Sequence, residues 1–148
     1  MRVSDTMTRD VRVASPNQTI QDAAKMMSDV DAGVLPVGEN DRLVGMITDR
    51  DIAVRAVAKG MKPDTPVRDV MTSEVRYCFE DEDTEQVARN MGDQQVRRLP
   101  VVNRDKRLVG ILSLGDLAVM QGSRPAGEAL AEISQPGGQH SQSGGRAM

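Results

Sequence analysis

The sequence predicts an α/β (α+β) fold made of two alike units that pack with pseudo-two-fold symmetry. Each unit reads strand, helix, strand, strand, helix. The first observation behind this is a duplication. Val3-Ser4-Asp5-Thr6-Met7-Thr8 returns as Val67-Arg68-Asp69-Val70-Met71-Thr72, Leu35-Pro36-Val37 as Leu99-Pro100-Val101, and Arg42-Leu43-Val44-Gly45 as Arg107-Leu108-Val109-Gly110. The spacing is 64 residues at the methionines and 65 at the glycines, so one residue is inserted between Val101 and Arg107. The second is that each copy carries strand-like runs around an amphipathic helical stripe. The third is a shared ending: Gly45-Met46-Ile47-Thr48-Asp49-Arg50-Asp51 and Gly110-Ile111-Leu112-Ser113-Leu114-Gly115-Asp116. A repeat of this size packs against its twin, because one copy alone cannot bury its apolar face.

In the first copy a short opening segment spans residues 3–8. Val11-Arg12-Val13 alternates as a half-buried strand, and Ser15-Pro16-Asn17-Gln18-Thr19 interrupts it. Ile20, Ala23, Ala24 and Met27 then fall on one face of a helix. Residues 33–37 and 43–47 predict a hairpin turned by Glu39-Asn40-Asp41. A closing helix runs from about Thr48 to Lys59 and is capped by Gly60. Residues 61–66, with Pro63 and Pro66, link the copies. In the second copy Val75, Tyr77 and Phe79 alternate on a strand, and Thr84, Val87, Ala88 and Met91 repeat the helical stripe. Residues 99–102 and 108–112 form the hairpin around a turn at 103–106, and Ser113 opens the closing helix. From Ser123 the composition shifts to Gly, Ser, Gln, Pro and Ala, which predicts a flexible tail with disorder over 135–148 and room for a short helix at 127–133. The expected units are therefore 1–62 and 63–122, with the tail at 123–148.

Composition narrows the function. The 148 residues are 39% hydrophobic and 28% charged, enough for an ordinary soluble core. With one Tyr, one Phe, no Trp and ten Met, aliphatic and methionine side chains must fill it. A net charge of −3 argues against general binding to nucleic acid or anionic membranes. No run spans a bilayer, the N-terminus lacks a signal-peptide pattern, and the single cysteine, Cys78, has no internal disulfide partner. A cytoplasmic location is the simplest expectation. Catalysis is not expected. The one histidine, His140, lies in the tail, so a histidine-based triad is absent. One His and one Cys do not make a nitrogen–sulfur zinc site, no P-loop occurs, and no metal is called for.

The repeated motifs, in their order, resemble a tandem pair of CBS domains, often called a Bateman module. The likeness covers about residues 1–122 and extends to the small stand-alone bacterial CBS pairs of signal-transduction and hypoxic-response type. It implies binding of adenosyl ligands, such as AMP, ADP, ATP, NAD or S-adenosylmethionine, in clefts between paired units. It also implies dimerisation into a disc of four units.

Thr48 with Asp51, and Ser113 with Asp116, are the leading candidates. A hydroxyl at a helix start meets free backbone N–H groups that favour an anion, and an Asp one turn on accepts hydrogen bonds from a ribose. The same spacing is also a helix-capping arrangement that stabilises by about 1 kcal/mol and binds nothing. Arg97 and Arg98 stand where the first copy has Gly33 and Val34. Their planar forks suit phosphate, and a solvated strand end is the other reading. The two sites are therefore chemically unequal. Glu80-Asp81-Glu82-Asp83 falls in the second copy's strand-to-helix loop. By the family's symmetry it faces the Thr48–Asp51 site and disfavours phosphate there; otherwise it simply faces water. Val11, Val13, Val34 and Ile47 in the first copy, and Tyr77, Val96 and Ile111 in the second, are candidates for an apolar adenine slot or for core. Arg104, Lys106 and Arg107 read as a solvated hairpin turn, since no aromatic platform accompanies them. The resulting expectation is a cytoplasmic energy or metabolite sensor, likewise a homodimer, read by an effector protein that the sequence does not name. The alternative is a ligand-free dimerisation or interaction module whose hydroxyl–Asp pairs are caps only.

Overall fold

A computed structural model of the chain describes residues 1–121 and 123–134. In chain order the elements are α1 (Ile20–Val30), β1 (Val34–Glu39), β2 (Arg42–Thr48), β3 (Cys78–Phe79), α2 (Thr84–Gln94), β4 (Arg98–Val102), β5 (Leu108–Ser113), α3 (Leu114–Gln121) and α4 (Ser123–Ile133). The mixture of helices with small sheets is the expected α+β class. The predicted disorder of 135–148, His140 included, falls outside the described residues.

The α2 stripe forms as the periodicity requires, with Thr84, Val87, Ala88 and Met91 buried. On α1 Ile20, Ala23 and Met27 are buried, while Ala24, expected on the same face, is exposed. Thr19 and Asp22 close a reciprocal capping box on α1, and the Asp83 carboxylate caps α2 by accepting from Gln86 N–H. Strands β1 and β2 pair antiparallel around Asn40-Asp41, both at positive φ, as a tight hairpin turn requires.

The strands expected at 11–13 and 75–79 are shorter than the alternation suggested, for a reason that lies in the Leu-Pro-Val motifs. Ala14 N–H donates to the Pro36 carbonyl and Gly38 N–H to the Ala14 carbonyl, a parallel bridge beside β1. Carrying that ladder back to Arg12 requires an N–H on Pro36, which proline lacks. Pro16 stops it on the other side in the same way. In the second repeat Cys78 pairs parallel with Val101 and Phe79 with Val102, while Pro100 blocks extension towards Arg76. Glu80 stands where the first repeat has Pro16, and its N–H reaches the Val102 carbonyl, so β3 survives as a strand. The buried residue there is Cys78; Tyr77 is exposed.

The residues form two compact units whose boundaries do not follow the halves 1–62 and 63–122. One contains Asp10–Arg76 with Asp105–Leu108; the other contains Met1–Arg9, Tyr77–Arg104 and the described residues from Val109 on. Each opening segment thus folds with the opposite repeat, and the two do so identically. Val3 and Ser4 N–H donate to the carbonyls of Glu82 and Glu80; Val67 and Arg68 N–H donate to those of Gln18 and Pro16. Thr8 exchanges two backbone hydrogen bonds with Ile111, and Thr72 exchanges two with Met46. The segments also fill the cores: Val3 and Met7 are buried with Leu112 and Leu117, and Val67 and Val70 with Ile47 and Ala56. Gly45 and Gly110 make the close approach possible. A Cβ on Gly110 would lie 2.7 Å from the Thr8 carbonyl oxygen and 2.8 Å from Met7 Sδ. On Gly45 it would lie 2.7 Å from Met71 Sδ and 2.8 Å from the Thr72 carbonyl oxygen.

The closing helices differ. The helix expected over 48–59 is in place, but Asp51–Ala56 is a π-helical stretch followed by a 3-10 turn at Val57–Lys59, capped by Gly60 at φ 76°. The second repeat has the regular helix α3. Residues 123–133, placed in the tail with room for a short helix at 127–133, form the longer helix α4. Ala126, Ala129 and Ile133 are buried in the same core as α2 and α3. Hydrophobic burial outweighs the Gly and Pro content that suggested a tail.

Substituting Gly110→Ala is expected to lower stability by about 1–3 kcal/mol through overpacking against residues 7–8. Urea unfolding checks this, and an unchanged midpoint would show that the segment yields freely.

Candidate functional site

The hydroxyl–Asp pairs sit where a strand runs straight into a helix. In the second-repeat unit Ser113 ends β5 and precedes α3. Ser113 N–H donates to Asp116 Oδ2 at 3.1 Å, and Asp116 N–H donates to Ser113 Oγ at 3.0 Å. In the first-repeat unit Thr48 N–H donates to Asp51 Oδ2 and Asp51 N–H to Thr48 Oγ1, both at 3.0 Å. Both pairs are therefore closed capping boxes. Each uses one carboxylate oxygen. The other oxygen of Asp51 lies 3.6 Å from Arg55 Nε.

The equivalence of Arg97 with Gly33 holds in three dimensions. The Arg97 carbonyl accepts from Leu114 N–H, and the Gly33 carbonyl accepts from Asp49 N–H. The chemistry at the two places is opposite. Arg97 and Arg98 are both exposed beside Ser113. At the other site the Asp49 carboxylate lies over Gly33, so close that a Cβ there would be 2.7 Å from Asp49 Oδ2.

In the second-repeat unit Arg97, Arg98 and Ser113 border a cavity of about 460 Å³, together with Leu114, Gly115, Ala118, Ala126, Gly127 and Leu130. That size suits a nucleotide-sized ligand. Asp116 stands behind the rim, holding the Ser113 backbone, and is not part of the lining. Val96, Ile111 and Tyr77 do not line it either. Val96 packs on the core, Ile111 bridges to Thr8, and Tyr77 meets Phe79 edge to face at 5.6 Å. In the first-repeat unit Val34 pairs across the hairpin with Thr48, Val13 is exposed and close to Gly38, Val11 is half-buried, and Ile47 is fully buried core. The α4 contribution escaped the sequence reading, although Ala126, Ala129, Leu130 and Ile133 fall at helical spacing.

The acidic run is engaged within its own unit. Arg104 grips both Asp81 oxygens, at 2.8 and 2.9 Å, and lies 4.0 Å over the Phe79 ring. Its guanidinium holds the Asp81 carboxyl below the usual carboxylate range. Glu82 accepts from Phe79 N–H, and Asp83 caps α2 and lies 3.6 Å from the N-terminal ammonium. In the expected basic turn, Arg107 pairs with Asp41 at 3.3 Å. Among the described residues no three His, Cys, Asp or Glu side chains gather as a metal site, and no helix is long and apolar enough to cross a membrane.

The CBS domain family matches residues 3–57 and 67–120. This chain belongs to the CBS domain family. The CBS domain-containing protein YhcV of Bacillus subtilis is 48% identical over 133 residues, which is 89% of this chain and 94% of YhcV. The structure of hypoxic response protein I, solved with two coordinated zinc ions, superposes with a TM-score of 0.74 at 34% identity, covering 81% of this chain and 98% of that one. The CBS pair of protein MJ0100, solved with 5′-methylthioadenosine and S-adenosyl-L-methionine, gives a TM-score of 0.72 at 30% identity over 84% of this chain and 98% of that one. CBS pairs of this kind are regulatory modules.

Cys78, buried against the second CBS repeat's core, has its thiol pushed up from 9.0 to about 12, by burial first and by Glu82 second. The folded state therefore favours the neutral thiol. That contribution to stability is complete below pH 9.0 and is lost as pH rises from there towards about 12. Iodoacetamide at pH 8 is expected to label Cys78 only after unfolding. Fast labelling of the native chain would contradict the burial.

Proposed function

We propose that this CBS pair is a regulatory sensor of an adenosine nucleotide, held by the second-repeat unit, with AMP, ADP, ATP and NAD as the candidate ligand class. The observation that carries the reading is the cavity beside the start of α3, with Arg97 and Arg98 on one side and Ser113 on the other. The arginines would bind phosphate bidentately. The Ser113 hydroxyl would add a donor at the positive end of the helix dipole. Asp116, behind the rim, would act by holding Ser113 in place through the capping box. The MJ0100 pair, at 30% identity, was solved with adenosyl ligands, which supports the same class here.

The Thr48–Asp51 site, with Asp49 nearby and no arginine in place of Gly33, would disfavour phosphate. It suits a nucleoside or a cationic adenosyl compound such as S-adenosylmethionine. Binding shifts a conformational population only if the two states differ in affinity, and an effector protein would read that shift. The homodimer of four CBS units and the cytoplasmic location belong to the same proposal. The closed capping boxes favour a second reading, in which both sites serve helix stability alone and the pair is a dimerisation or interaction module.

Melting with AMP, ADP, ATP, NAD and S-adenosylmethionine separates the two. A ligand at about 100 times its Kd adds about 2.7 kcal/mol. Replacing both Arg97 and Arg98 with Ala is expected to weaken AMP about 10- to 100-fold and to leave adenosine nearly unchanged. Melting that no adenosyl compound raises would establish the interaction-module reading instead.

A further inference from the structure

We infer that α4, which lies beyond the CBS-matched residues, supplies the apolar wall of the nucleotide site, with Leu130 as the residue that contacts the nucleoside. This rests on the nucleotide reading of the second-repeat unit.

The family match ends at residue 120, and α4 spans Ser123–Ile133. One flank of α4 is fixed. Ala126, Ala129 and Ile133 are only 7%, 3% and 2% exposed in the core. Gly92 on α2 allows the contact, since a Cβ there would stand 3.2 Å from Ala129 Cα. Gln95 Nε2 donates to the Glu132 carbonyl at 2.9 Å, near the helix end. A helix held this way presents its next face in a defined position.

That face carries Ala126, Gly127 and Leu130, which line the cavity bordered by Arg97, Arg98 and Ser113. The cavity therefore has a cationic, hydrogen-bonding region and an α4 wall with no polar side chain. A molecule matching it has an anionic part and an apolar part, as a nucleoside phosphate does. The volume, about 460 Å³ with α4 in place, makes α4 a wall and not a plug. Leu130 is 45% exposed, whereas its core-facing neighbours on α4 are not. Gly127 strengthens the case. Glycine within a helix is unfavourable relative to Ala by roughly 0.5–1 kcal/mol, yet a Cβ at 127 would meet nothing within 4 Å. Helix packing does not require that glycine, and its effect is to leave open space in the wall.

The full chain serves for the test, with AMP as probe and calorimetric titration as readout. Leu130→Gln removes apolar contact without adding charge and is expected to weaken AMP about tenfold. Leu130→Met keeps volume and apolarity and should bind within about twofold of the parent chain. Val119→Gln, at a more exposed apolar position on α3 outside the cavity lining, controls for surface polarity and should leave affinity unchanged. Melting without ligand confirms that each variant is folded. Parent-like AMP affinity in Leu130→Gln would overturn the α4 wall while leaving the nucleotide reading intact. No AMP binding by the parent chain would overturn both.

Discussion

The structure depends on the exchange of opening segments between the two repeats. Residues 3–8 and 67–72 each lie against the repeat other than the one they open, through equivalent backbone hydrogen bonds. The exchange explains two sequence features together. The glycine in each Arg-Leu-Val-Gly motif lies where a Cβ would strike the incoming methionine and carbonyl. The methionine is the flexible side chain able to fill the remaining gap. It also explains the position of the site. Thr8 fastens Ile111 two residues before Ser113, and Thr72 fastens Met46 two residues before Thr48. The end of each strand, and so the start of each closing helix, is held by a segment from the other repeat.

Much of this was legible in the sequence. The duplication fixed the number of units, the 3.6-residue stripes fixed α1 and α2, and Asn40-Asp41 fixed the hairpin turn. The exchange was not legible, because a short segment with a few apolar anchors carries no local sign of which of two alike repeats receives it. The shortened strands were hidden in the motif that revealed the repeat. Pro36 and Pro100 mark the duplication but also remove the N–H that a longer parallel ladder needs. α4 was obscured by its Gly and Pro content, although its Ala, Leu and Ile spacing carried the signal. The π-helical turn after Thr48 has no counterpart in the second repeat, and no residue of the first repeat explains it.

The candidate residues were found with mixed success for a physical reason. Hydroxyl and Asp at a helix start satisfy the backbone first, and both pairs do so as reciprocal caps. The cap and an anion site are not exclusive, because the remaining N–H groups and the dipole persist at that end. What separates the two sites is their neighbours: Arg97 and Arg98 at one, Asp49 over Gly33 at the other. Of the side chains expected to hold a base, Ile47 and Val96 serve the core, and Val13 and Tyr77 are exposed outside the cavity lining; the cavity's apolar lining comes from α3 and α4 instead.

Hydrogen exchange with and without AMP tests the central claim, that a nucleotide occupies the second-repeat unit, most directly. The account predicts slower exchange of backbone amides over 113–118 and 126–130 when AMP is present, with residues 48–53 unchanged. Slowing confined to 48–53, or no slowing anywhere, would contradict it.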